Sequence, residues 1–109
     1  MKVKDIALEC GFKALALPAP DREADGVYIG DLLSWVMGRA DADNVWITIM
    51  SNVNVIAVAT LSDVSCVLLA EGVAPQDELI RLAEEKGVNL LSTDKPIYEA
   101  AIAISEVIK

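Results

Sequence analysis

Residues 45–69 read VWITIMSNVNVIAVATLSDVSCVLL, and this stretch decides the fold. Val45–Met50 is a nearly unbroken apolar run, the composition of a strand covered on both faces. Val64–Leu69 is a second such run. Between them, Ser51 and Asn52 are able to cap a helix running from Val53 to about Leu61. The valines of that segment lower its intrinsic helix propensity, but two parallel neighbouring strands need a crossover, and a helix supplies it.

The alternation continues outward from this unit. Gly72 turns the chain, and Pro75 stands at a first helical position, with Asp77 and Glu78 favourably placed in the first turn. Leu79, Ile80, Leu82 and Ala83 form the inward face, and Gly87 is the stop. Val88–Leu91 is a further strand, Ser92-Thr93-Asp94 a turn, and Pro96 opens a last helix whose face is Ile97, Ala101, Ile104 and Ile108. Upstream, Lys2–Glu9 carries the i, i+3, i+4 stripe Val3, Ile6, Ala7 and ends at Gly11. Phe12–Leu17 and Gly26–Ile29 read as strands, separated by a loop at Pro18, Pro20 and Asp21. Asp31 stands at the N-cap of a helix to about Met37, with Leu32, Leu33, Val36 and Met37 as its apolar face and Gly38 as its stop. Strand–helix alternation of this kind defines an α/β fold: a three-layer α/β/α sandwich around a mostly parallel sheet of about five strands, with right-handed crossovers. The 109 residues fit one domain spanning 1–109.

Composition narrows the function. The formal net charge is −8, from nine basic and seventeen acidic residues. Such a balance argues against a nucleic-acid partner and against an anionic membrane surface, both of which need clustered Lys and Arg. There is no histidine, so the commonest general base and metal ligand are both absent. Cys10 and Cys66 form no CxxC pair; Cys66, inside an apolar run, reads as a buried structural thiol. Met1–Leu8 is not a signal peptide, and no apolar run reaches membrane-spanning length, so a cytoplasmic protein is expected. No GxGxxG, GxxxxGK[ST] or GxSxG occurs. The acidic neighbours Asp41/Asp43, Asp77/Glu78 and Glu84/Glu85 read as solvated faces. No cofactor is indicated, although Asp31, Glu71 and Asp94 together would offer oxygen ligands to magnesium.

In an open α/β sheet, ligands sit beyond the carboxyl ends of the strands. Those ends are Gly30-Asp31, Met50-Ser51-Asn52, Ala70-Glu71-Gly72 and Ser92-Thr93-Asp94. Short polar turns ahead of helix N-termini suit an anion. Ser51-Asn52 is the favoured turn, because no acid falls between Met50 and Leu61, whereas Asp31 beside Gly30 would repel a phosphate. Helix capping competes with ligand contact as the role of Ser51, Asn52 and Asp31. Trp35 lies off the stripe of its helix and is a candidate interface anchor.

The block Asp21-Arg22-Glu23-Ala24-Asp25-Gly26-Val27-Tyr28-Ile29-Gly30-Asp31-Leu32-Leu33-Ser34-Trp35-Val36-Met37 resembles the opening of the DRTGG-domain family. The strand Val45–Met50 with its helix, the strand Val64–Leu69 with its glycine turn, and Leu90-Leu91-Ser92-Thr93-Asp94 resemble its later blocks. The likeness covers nearly the whole chain and is closest to small stand-alone members. In larger relatives the domain accompanies phosphotransacetylases or the CBS modules of regulated pyrophosphatases, and it is similar to the amino-terminal domain of HPr kinases. The resemblance implies a non-catalytic regulatory or assembly domain, often a homodimer, with a partner enzyme and a small anionic metabolite or nucleotide as expected ligands. By position, the family's Asp-Arg corresponds to Ser51-Asn52-Val53-Asn54 and its Thr-Gly-Gly to Leu69-Ala70-Glu71-Gly72. The candidate ligand residues are therefore Gly30, Asp31, Ser51, Asn52, Asn54, Glu71, Gly72, Ser92 and Thr93. The competing expectations are a small metal-dependent phosphotransfer or hydrolytic enzyme, and an accessory subunit of a metabolic or redox complex.

Overall fold

The computed structural model describes residues 1–108. Its elements are α1 (Val3–Cys10), β1 (Lys13–Ala16), β2 (Val27–Ile29), α2 (Leu33–Arg39), β3 (Val45–Thr48), α3 (Asn54–Ser62), β4 (Cys66–Leu69), α4 (Asp77–Lys86), β5 (Leu90–Ser92) and α5 (Ile97–Val107). One five-stranded sheet runs in the order β1-β5-β4-β3-β2. Strands β2 to β5 are parallel, and β1 pairs antiparallel with β5 at one edge, with a register shift between Ala14 and Ala16.

Strand alternation sorts the core into two halves. Trp46, Val67, Leu69 and Leu90 point into the layer of α2, α3 and α4. Val45, Ile47, Cys66, Leu68 and Leu91 point into the layer of α1 and α5. Strands β3 and β4 are thus buried on both faces, because each lies inside the sheet with helices above and below, whereas Ile49, past the end of β3 in the first apolar run, is exposed. Right-handed crossovers of the parallel units leave α2 over the β2 edge, α3 in the middle and α4 beside β1. The stripe Val3, Ile6, Ala7 is buried as its spacing requires, and Gly11 and Gly87 end α1 and α4 in the left-handed conformation.

Several local expectations are corrected. The helix after β2 does not stop at Gly38: α2 runs through it to Arg39, because Gly38 keeps negative φ where Gly11 and Gly87 turn left-handed. Asp31 does not cap α2. Leu32 occupies the N-cap without a side-chain bond, and the Asp31 carboxylate is turned toward β3. Of the predicted apolar face of α2, only Val36 is buried; Leu33 is half-buried, and Leu32 and Met37 are exposed. Pro75 precedes α4 rather than opening it, and Gln76 is the N-cap.

A guanidinium clamp holds the loops at the amino ends of the strands. Arg22 Nη2 donates to Asp43 Oδ1 and Asp63 Oδ1, both at 2.9 Å, and to the Asp63 carbonyl at 2.6 Å. Asp43 and Asp63 both have positive φ, at 70° and 56°, so the clamp fixes two turns that disfavour most side chains.

Cys66 is fully buried, and burial pushes its thiol up to about 12, against weaker opposing effects of Ser65 and Arg22. The unfolded thiol titrates near its ordinary value of 9.0. Stability that is complete below that value is therefore lost as pH rises from about 9 toward 12, at up to ~1.4 kcal/mol per pH unit. Urea titrations at pH 8 and pH 10.5 are expected to show a larger loss in the wild type than in Cys66→Ala. Equal losses would show that the thiol does not carry the alkaline sensitivity.

Candidate functional site

Because β2 to β5 run the same way, the turns that follow them share one rim, as the strand-end argument requires. The antiparallel β1 starts at that rim, with Lys13 opposite Ser92. Two hollows lie there, on either side of the loop between β4 and α4. The larger, of about 400 Å³, is lined by Gly72, Val73, Ala74 and Pro75 of that loop, by Ser92, Thr93 and Asp94, and by Lys13, Leu15 and Ile80. The smaller, of about 230 Å³, sets Ser51, Asn52 and Val53 against Gln76, Glu78 and Leu79.

The fold therefore divides the predicted ligand residues. Gly72, Ser92 and Thr93 meet in the larger cleft, together with Lys13, which the strand-end rule overlooked because it begins a strand instead of ending one. Ser51 and Asn52 line the smaller hollow. Gly30, Asp31 and Asn54 line neither. The freedom of the Ser51-Asn52 turn from nearby acids does not survive folding, since Glu78 is brought across from α4. Neither Ser51 nor Asn52 is the N-cap of α3: Val53 holds that position without a side-chain bond, and Asn52 Oδ1 accepts from the Asn54 N–H at 2.9 Å in the turn just before it. Among the described residues no group of three or more His, Cys, Asp or Glu is placed to hold a metal, and Asp31, Glu71 and Asp94 do not converge.

Glu71 has a structural task. Its Oε2 accepts from the Ile97 N–H at 2.9 Å, so its charge sits at the positive end of α5. The backbone on either side is stitched to the β5 turn: Glu71 N–H donates to the Lys95 carbonyl, Gly72 N–H to the Thr93 carbonyl, and Thr93 N–H to the Leu69 carbonyl, at 2.9, 3.1 and 2.9 Å. Glu71 and Gly72 are consecutive left-handed residues, with φ of 61° and 73°. A Cβ at Gly72 would stand 3.4 Å from Asp94 Oδ1, a tight fit in a strained conformation, so glycine suits this wall of the cleft.

At the other end of the rim two buried side chains, Thr48 and Trp46, shape the β2–α2 turn. Thr48 Oγ1 donates to Asp31 Oδ1 at 2.7 Å and accepts from the Met50 N–H at 3.1 Å; Asp31 Oδ1 also accepts from the Ile49 N–H at 3.1 Å. Trp46 Nε1 donates to the Gly30 carbonyl at 2.8 Å. The clue in the sequence was a polar atom inside an apolar strand, which must find a partner when buried.

The sequence profile of the DRTGG domain matches residues 21–107. The chain belongs to the DRTGG-domain family. Among solved structures it is similar to the CBS and DRTGG domains of the regulatory region of Clostridium perfringens pyrophosphatase, crystallised with its activator diadenosine tetraphosphate. The TM-score is 0.76 at 15% sequence identity, over 94% of this chain and 45% of that one. At that identity the likeness establishes the fold. No curated protein sequence matches this chain. No helix among the described residues is long and apolar enough to cross a membrane.

Proposed function

We propose that this chain is a single non-catalytic regulatory or assembly domain of the cytoplasm that self-associates and binds a small anionic metabolite or nucleotide, reporting its presence to a partner enzyme. The observation that carries the reading is the larger cleft at the strand ends, in a chain of the DRTGG family. Of the two hollows it is the one that holds a cation: Lys13 faces the Ser92-Thr93 turn and offsets the charge of Asp94, whereas the one charged residue lining the smaller hollow is Glu78. The family likeness to a nucleotide-regulated pyrophosphatase region supports a nucleotide as the first ligand class to try.

Thermal denaturation with ATP, ADP, AMP, diadenosine tetraphosphate, phosphate and acetyl phosphate tests it. A ligand held at a hundred times its Kd adds about 2.7 kcal/mol, which for a domain of this size raises Tm by roughly 10 °C or more. The gain is expected to disappear in Lys13→Ala and to persist in Asn52→Ala. No stabilisation by any of the six would overturn the ligand reading, and a gain lost in Asn52→Ala but kept in Lys13→Ala would move the site to the smaller hollow.

A further inference from the structure

We propose that a second copy of this chain docks on the open edge formed by β2 and the outer flank of α2, with β2 pairing antiparallel to its counterpart about a two-fold axis at Tyr28. The inference rests on the self-association part of the reading above and names its surface.

The backbone of β2 makes the edge self-complementary. In the parallel ladder with β3, the Gly26 carbonyl accepts from Val45 N–H at 2.9 Å and Gly30 N–H donates to the Ile47 carbonyl at 3.2 Å. Alternate residues 26, 28 and 30 thus face β3, and the N–H and C=O groups of Val27 and Ile29 face outward. Among the described residues these four groups have no backbone or side-chain partner. An antiparallel copy centred on Tyr28 sets Val27 opposite the partner copy's Ile29 and the reverse, which pairs all four groups and joins two five-stranded sheets into one of ten. Edge strands left open in this way are templates for such pairing, and natural proteins usually block them with charge, proline or a bulge. Val27-Tyr28-Ile29 carries none of these.

The flanking side chains agree. Helix α2 is the outermost helix of its layer at this edge. Its spacing sets Leu33 and Ala40, which pack on the core, along one flank. Leu32, Trp35 and Arg39 lie along the other, at i, i+3 and i+7. Leu32 is 55% exposed and Trp35 52%, with the Arg39 guanidinium 3.7 Å above the indole ring centre. Ile29, on the strand itself, is 47% exposed. Two-fold pairing of β2 brings the two α2 helices alongside one another, so these flanks face each other. An exposed Trp stacked by Arg is the type of side chain that anchors interfaces.

Charge selects the occupant. Two molecules of net charge −8 repel over most of their surfaces. The stretch Gly26–Gly38 holds a single charged residue, Asp31, whose carboxylate already accepts from Thr48 and Ile49. Residues 45–62 hold none. The middle of the β2–α2 edge is therefore free of charge, the pairing sets Asp25 opposite the partner copy's Asp31 only at its two ends, and the free edge of a second copy is the matching surface.

Sedimentation velocity over a concentration series tests the proposal on the full chain. The wild type is expected to be a dimer, Ile29→Lys and Trp35→Glu each to weaken it about 30-fold or more, and Leu8→Glu, on an exposed position of α1, to leave it unchanged. Far-UV circular dichroism checks that the variants fold. A measurement without variants is amide hydrogen exchange: Val27 and Ile29 N–H groups are expected to exchange fast in dilute protein and to become protected as concentration rises. A dimer that survives both edge substitutions, with Val27 and Ile29 unprotected, overturns this surface while leaving self-association standing. A wild type that stays monomeric throughout overturns both, and an edge that gains protection only when a different polypeptide is added overturns the second copy as its occupant. The ligand reading is separate, since Lys13 lies at the opposite edge of the sheet.

Discussion

Trp46→Ala is expected to lower the unfolding free energy by about 3–5 kcal/mol, the range for emptying an aromatic core position. The indole is fully buried at the sheet centre, among the side chains that pack under α2 and α3. Its removal both opens a cavity and strands the Gly30 carbonyl that Nε1 now satisfies. Trp46→Phe separates the two effects: it restores much of the volume but not the donor, and a loss of about 1–2 kcal/mol is expected from the orphaned carbonyl and the shape mismatch. Urea denaturation followed by circular dichroism reads both. If Trp46→Ala cost less than about 1 kcal/mol, the description of this layer as close-packed around the indole would be wrong. Because Gly30 leads into α2, Trp46→Phe is also expected to loosen the β2–α2 turn, visible as faster hydrogen exchange at Asp31 and Leu32.

Asn89→Ala is expected to rank next, at about 2–4 kcal/mol. Asn89 is 2% exposed, yet it is polar at every end. Its Oδ1 accepts from the Ala19 N–H at 2.9 Å, and its Nδ2 donates to the carbonyls of Ala19 at 2.8 Å and Ser65 at 3.0 Å. The side chain therefore takes the place of a strand neighbour for the Pro18–Pro20 loop. That loop in turn receives α1, since Lys4 N–H donates to the Pro20 carbonyl and Val3 N–H to the Arg22 carbonyl. Removal of the amide leaves the Ala19 N–H and the Ser65 carbonyl without partners, takes from the Ala19 carbonyl one of its two donors (the Arg22 N–H remains), and frees the loop. Limited proteolysis is expected to cut between Leu17 and Arg22 in the variant while sparing the wild type. Equal resistance of the two would show that the loop is held by other contacts.

The sequence made the central sheet readable because β3 and β4 are apolar on both faces, a pattern that only a strand between two helical layers needs. The stripe of α1 and the glycines at 11 and 87 were equally plain, since each reflects local geometry. What escaped was set by distant neighbours. Asp31 has the composition of a helix cap, but the nearby Thr48 hydroxyl and Ile49 N–H claim its carboxylate. Gly38 has the composition of a stop, but an exposed glycine does not by itself end a helix. Nothing in Phe12–Leu17 told which way β1 runs, and that direction is what carries Lys13 to the rim. The four strand ends gather at one rim as expected. How they divide between two hollows depends on the path of residues 72–76, which no periodicity encodes.

The first and last helices of the chain carry a consequence for modular architecture. α1 leads into β1 at the rim, and α5 leaves β5 at the same rim, so the two helices lie side by side on one face and run in opposite senses. The start of α1 and the end of α5 consequently both lie on the side of the sheet away from the cleft. A domain whose entry and exit points share one side can be joined to a larger polypeptide there, and here the junctions would leave the mouth of the cleft unobstructed.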